Sequence, residues 1–213
     1  SGAINQFGKT LETAGDQMPS RMLKVTPKQK LNVEKVLGES LDSYLVKNNI
    51  TGKPETVAQG TGAIINDLND QYQAMTRQSG ITDIPAIDFT SKLIAKADEN
   101  RTQDLTLNGK RVADKLEAQA NYINEQAAKT GGNITLEQLT NAKSSMFKGI
   151  KPVTVDARRI AGGILIDTID GYAPGSAQIG RDLQKAIEVN KIAMTQSGLG
   201  KGTNLVGIMK PTG

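Results

Sequence analysis

The chain has no cysteine, no histidine and no tryptophan, and only three Phe and four Tyr among 213 residues. Without cysteine there are no disulfides, thiolate nucleophiles or Cys-based metal sites, and the redox compartment stays open. Without histidine the commonest general base near neutral pH is missing, together with the imidazole ligand of most transition-metal sites. Catalysis would fall to carboxylate, Lys, Tyr or Ser/Thr groups. Apolar residues make up 37% of the chain, so a core must be assembled from Leu, Ile, Val, Ala and Met, which suits thin helix-on-helix packing. No apolar run of about 18 residues occurs, and the first residues lack a basic-then-apolar signal pattern. The chain therefore reads as soluble and without a membrane span. Beginning Ser1-Gly2 and ending Lys210-Pro211-Thr212-Gly213, it reads as a processed product or the ordered part of something longer.

Charge of one sign is not in large excess: 26 Lys and Arg face 22 Asp and Glu, for a net +4. The two signs are interspersed, which describes a solvated surface better than a nucleic-acid footprint, where basic residues must gather on one face.

What is present is helical signal. Thr26-Pro27-Lys28-Gln29 combines an N-cap Thr, a Pro at the first helical position and a Gln completing a capping box. Leu31, Val36 or Leu37, Leu41, and Tyr44 or Leu45 then recur at helical spacing, predicting one helix over 27–48 that ends at Asn48-Asn49 and Gly52. Pro54 opens a second helix to about 78, with Val57, Ile64, Ile65, Leu68, Tyr72 and Met75 on its stripe. Gly60 and Gly62 weaken its first turns by about 1 kcal/mol each relative to Ala. After a connector at 81–86, Asp88 is expected to cap a helix carrying Phe89, Leu93, Ile94 and Ala97. That helix runs with at most a brief interruption into a stripe of Val112, Leu116, Ala120, Ile123 and Ala127, which Gly131-Gly132-Asn133 stops.

Thr135-Leu136-Glu137-Gln138 repeats the capping box ahead of a short helix to Gly149. Thr154 is expected to cap a helix with Ile160, Ala161, Ile164, Leu165, Thr168 and Ile169 facing inward. A last helix carries Ile179, Leu183, Ala186, Ile187, Ala193 and Met194 and closes at Gly198. No segment shows a sustained period-2 alternation of strand-forming residues. The fold class is all-α, a helical bundle without significant sheet. The segment 135–198 looks the most compactly apolar, and its three helices predict a local antiparallel bundle with the best-packed core. We place a boundary near residue 85, separating a helical region at 1–85 from a bundle at 86–213 with a flexible Gly-rich tail.

Few groups combine into chemistry. Gly198-Leu199-Gly200-Lys201-Gly202-Thr203 resembles the Gly-Lys-Gly-Thr core of a phosphate-binding loop. Thr195, however, stands where the first Gly is required, a helix precedes where a strand is needed, and little chain follows. It reads as tail, with no nucleotide bound. Asp167 and Asp170, three residues apart, could share a proton or contact a cation, yet no loop of alternating acidic and amide residues supports them. They read as solvated turn residues, as do Asp98 and Glu99. Lys148, Lys151, Arg158 and Arg159 form the densest basic cluster, a candidate for phosphate or partner contact, but acidic residues dilute it and no aromatics interleave to stack bases. Gly162-Gly163 places two glycines inside an apolar helix, which predicts close approach of another helix.

The succession from about 88 to 198 has a style of its own. A polar helix and a Gly-Gly turn lead to Ile134-Thr135-Leu136-Glu137-Gln138-Leu139 and a short helix, followed by helices around Asp156-Ala157-Arg158-Arg159 and Tyr172-Ala173-Pro174-Gly175. This resembles helical segments in large virion-associated proteins of tailed bacteriophages, among them ejection and internal virion proteins. The resemblance implies a non-enzymatic structural or assembly role, location in the virion, a part in DNA ejection, and helices packing against copies of the chain as a homo-oligomer or against neighbouring virion proteins. From the composition and the candidate groups above, no cofactor and no catalytic or metal-binding residue is expected. The competing reading is a nucleic-acid-associated helical module that grips phosphates through the cluster at Arg158 and Arg159.

Overall fold

In the computed structural model the described residues are 19–146 and 153–198. They are mostly helical: α1 (Pro19–Met22), α2 (Pro27–Leu37), α3 (Leu41–Lys47), α4 (Pro54–Thr76), α5 (Ala86–Gln103), α6 (Leu107–Ala128), α7 (Leu136–Met146), α8 (Val153–Tyr172) and α9 (Ser176–Ser197). Their only sheet is one antiparallel pair of two-residue strands, β1 (Ile84–Pro85) and β2 (Asn133–Ile134). Among the described residues no helix is long and apolar enough to cross a membrane.

Both capping boxes form. The Thr26 N–H donates to Gln29 Oε1 at 3.0 Å while the Gln29 N–H donates to Thr26 Oγ1 at 3.2 Å. Thr135 and Gln138 repeat the exchange at 2.8 and 3.0 Å. The helix expected over 27–48 is instead two. Gly38 takes a left-handed φ of 69°, and its N–H donates to the Glu34 carbonyl. Ser40 then caps α3 through the Ser43 N–H. A Gly at C′ followed closely by a Ser stops and restarts a helix more strongly than a continuing leucine stripe prolongs it. The expected caps at Asp88 and Thr154 also move: α5 starts at Ala86 and α8 at Val153, so both residues lie inside a first turn.

The chain divides into two compact units. One holds the described residues to Asn69 and from Arg181 onward, the other residues 70–180. Residue 85, read from sequence as a boundary, lies within the second unit. In the first unit Leu23, Val33, Leu37, Leu41, Leu45, Ile50 and Val57 form a core that Val189 and Ala193 of α9 complete. A smaller cluster joins Ile65 to Leu183 and Ala186. Gly60 has a reason here, because a Cβ would stand 3.2 Å from Ile50 Cγ1.

In the second unit α5 and α6 form a helical hairpin around the turn at 104–106. Arg101 reaches Asp114 and Glu117, and Thr90 reaches Asn124. Because the partner number rises as the first falls, α6 runs back along α5. Phe89, Leu93 and Ala97 of α5 meet Val112, Leu116 and Ala120 of α6, and Leu136, Leu139, Ala161, Leu165 and Ile169 of α7 and α8 close the core. The strand pair ties the starts of α5 and α7 together: the Ala86 N–H donates to the Gly132 carbonyl at 3.0 Å and the Leu136 N–H to the Ile81 carbonyl at 2.9 Å. Gly131 and Gly132, at φ 73° and 89°, make the turn into β2 in a conformation that costs other residues steric strain.

The three helices of 135–198 thus do not make a bundle of their own. From Arg181 the apolar positions of α9 serve the first unit, while α8 packs with α5, α6 and α7 in the second. Both cores use threonine where an apolar residue is expected. Thr61, Thr76, Thr90, Thr140 and Thr168 are buried, and each donates its hydroxyl to the carbonyl four residues back. Their polar atoms are thereby satisfied within their own helices.

Candidate functional site

A depression in the second unit lies between α5 and α8. It has a volume of about 360 Å³ and is lined by Asp88, Ser91, Lys92, Asp167, Thr168, Gly171 and Tyr172. Helical spacing assembles it: Asp88, Ser91 and Lys92 fall at i, i+3 and i+4 on α5, and Asp167 and Gly171 at i and i+4 on α8. The hollow is open at Gly171, where a Cβ would meet nothing within 4 Å. Across it the Tyr172 hydroxyl donates to Asp88 Oδ2 at 2.9 Å. That bond to a carboxylate, aided by burial, holds the Tyr172 phenol above its ordinary value. Thr168 is occupied with the Ile164 carbonyl. The result is an open, polar surface hollow with charges of both signs. Among the described residues there is no group of three or more acidic side chains placed to hold a metal ion.

Asp167 and Asp170 are separated in role. Asp167 lines the hollow, whereas Asp170 Oδ1 accepts from the Gly175 N–H at 3.1 Å and the Ala177 N–H at 2.9 Å, capping the start of α9. Asp98 pairs with Arg101 at 3.3 Å and Glu99 with Lys96 at 2.5 Å, both on the surface. Such exposed pairs contribute at most about 1 kcal/mol. Of the basic cluster, Arg158 is buried and Arg159 exposed, so the two do not present a joint face. Lys148 and Lys151 lie outside the described residues, as do Leu199 to Thr203 of the Gly-rich motif. Gly162 is buried, but Gly163 is exposed and a Cβ there would meet nothing. Close approach of a neighbouring helix therefore gives no account of Gly163.

Sequence reading missed the Asp88–Tyr172 pair. Its partners are 84 residues apart and belong to no motif, and Asp88 carried a stronger local signal as a helix cap. No family model, no curated protein and no solved structure matches the chain.

Proposed function

We propose that this chain is a non-enzymatic structural or assembly protein, a virion component that packs against copies of itself or neighbouring virion proteins. One observation carries the reading: large apolar side chains stand outside while the cores are completed with small ones. Leu31 and Val46 in the first unit are 70% and 58% exposed, and Ile87 and Tyr122 in the second 59% and 62%. Inside, Ala97, Ala113, Ala120, Ala161 and Ala193 and three of the threonines are fully buried. In a chain short of apolar residues, leaving the large ones in water is unfavourable by about 25 cal/mol per Å², and a partner surface removes that cost. The placement of the candidate acids also favours a scaffold over a catalyst. Asp170 is engaged by backbone N–H groups, Asp98 and Glu99 by basic neighbours. The place in a virion comes from the sequence resemblance.

The test is the mass of the native particle. We expect the full chain to form a discrete oligomer by native mass spectrometry, and the combined Leu31→Gln, Val46→Gln, Ile87→Gln and Tyr122→Gln variant to be monomeric with unchanged helix content. A monomeric wild type at every accessible concentration would remove the self-assembly reading.

A further inference from the structure

The tip of the α5–α6 hairpin holds Leu105 and Leu107, 88% and 65% exposed. They are held there by a stiff turn. Asp104 Oδ1 accepts from the Thr106 N–H at 3.0 Å and from its hydroxyl at 2.5 Å. Thr106 Oγ1 in turn accepts from the Gly109 N–H at 3.3 Å, and the Asp104 N–H donates to the Asn100 carbonyl. Gly109 packs so tightly on this turn that a Cβ would overlap the Asp104 carbonyl oxygen. A turn fixed by four residues thus projects two leucines into water.

The surroundings indicate what meets them. Lys110 and Arg111 follow Leu107 at i+3 and i+4, hence on the same face of α6. Both are exposed, and neither has an ion pair among the described residues. Of the nearby acids Asp114 pairs with Arg101, while Asp104 accepts from the neutral Thr106 and keeps its negative charge beside the two cations. Two leucines alone fall far below the roughly 1,200–2,000 Å² that a stable protein interface buries. Apolar pegs beside two exposed cations match the interface of an anionic bilayer, where leucine enters the acyl boundary and Lys and Arg stay at the headgroups.

We propose that the α5–α6 tip is a membrane-surface contact, with Leu105 and Leu107 inserting shallowly and Lys110 and Arg111 meeting anionic lipid headgroups. This is independent of the assembly reading and spans no membrane.

The test is co-sedimentation of the full chain with vesicles of phosphatidylcholine alone and of phosphatidylcholine mixed equally with phosphatidylglycerol. The expected result is binding to the mixed vesicles that weakens with salt. It falls at least about tenfold in a Leu105→Gln, Leu107→Gln double variant and by roughly tenfold in Lys110→Glu, Arg111→Glu. These side chains are exposed, so helix content and thermal midpoint should stay at wild-type values, which checks that folding is intact. Failure of the wild type to bind either vesicle, or binding undiminished by the leucine changes, overturns the proposal. So does a vesicle-free oligomer that the leucine double variant dissolves, since the tip would then be a protein contact.

Discussion

Asn190 of α9 donates through Nδ2 to the Thr61 hydroxyl at 2.8 Å and to the Ala58 carbonyl at 2.9 Å, while the Thr61 hydroxyl itself donates to the Val57 carbonyl at 2.7 Å. This joins residues 129 positions apart inside the first unit, where Asn190 is 4% and Thr61 0% exposed. A buried amide with two partners is a net gain of about 1 kcal/mol per bond, and a partner left unsatisfied costs about 1–3 kcal/mol. Asn190→Ala should therefore lower stability by about 2–4 kcal/mol, measured as a shift of the urea midpoint at constant slope. A loss under about 0.5 kcal/mol would mean that the pair contributes nothing.

Two glycines make a matched test of local space. Gly163→Ala in α8 should stabilise by about 0.5–1 kcal/mol, because alanine is the better helix former and its methyl meets nothing. Gly109→Ala in α6 should destabilise by about 1–3 kcal/mol despite the same propensity gain, since its methyl is driven into the Asp104 carbonyl. Thermal unfolding of both variants checks the pair, and shifts of equal sign would contradict it.

On α8, neighbouring residues differ in depth. Leu165 is fully buried among α5, α6 and α7, whereas Ile164 is only partly buried against the same core. Helical periodicity had grouped the two on one inner face. Leu165→Ala should cost about 2–5 kcal/mol, and Ile164→Ala clearly less. Chemical denaturation decides, and equal losses would show that the stripe, not the depth, sets the cost.

Tyr44 gives a pH signature. It is 6% exposed, and burial, together with the carboxylates of Asp182 and Glu39, pushes its phenol from 10.0 up to about 12. The folded state thus holds the proton more tightly than the unfolded chain. The corresponding stability is fully present below about pH 10 and is lost as pH rises toward 12. The stability difference between wild type and Tyr44→Phe should be flat at neutral pH and move in favour of the phenylalanine variant across that window. A difference that stayed constant to pH 12 would place Tyr44 in water.

Helix positions were legible because their causes are local. Thr26 with Gln29, Thr135 with Gln138, Gly131-Gly132 and the apolar stripes act within a turn or two, and the all-α class follows from them. The break at Gly38 was equally local but was outweighed by a leucine repeat that continues across it. The candidate acids were harder to place, since Asp167 and Asp170 look alike in sequence yet only Asp170 turns back onto the N–H groups of Gly175 and Ala177.

Periodicity determines which face of a helix turns inward, and here it did so for Leu165, Ile169, Leu183 and Ala186. It carries no address for the face it meets. Only the tertiary structure decided that α9 from Arg181 completes a core with Leu23 and Val57 of the first unit, that Asp88 lies opposite Tyr172, and that Leu105 is left at the tip of a hairpin. Burial is non-directional, so many pairings of these stripes would remove similar apolar area from water. Directional contacts such as Asn190 to Thr61 and Thr90 to Asn124 join residues far apart in the chain. They distinguish one pairing from another, and they exist only once the chain has folded.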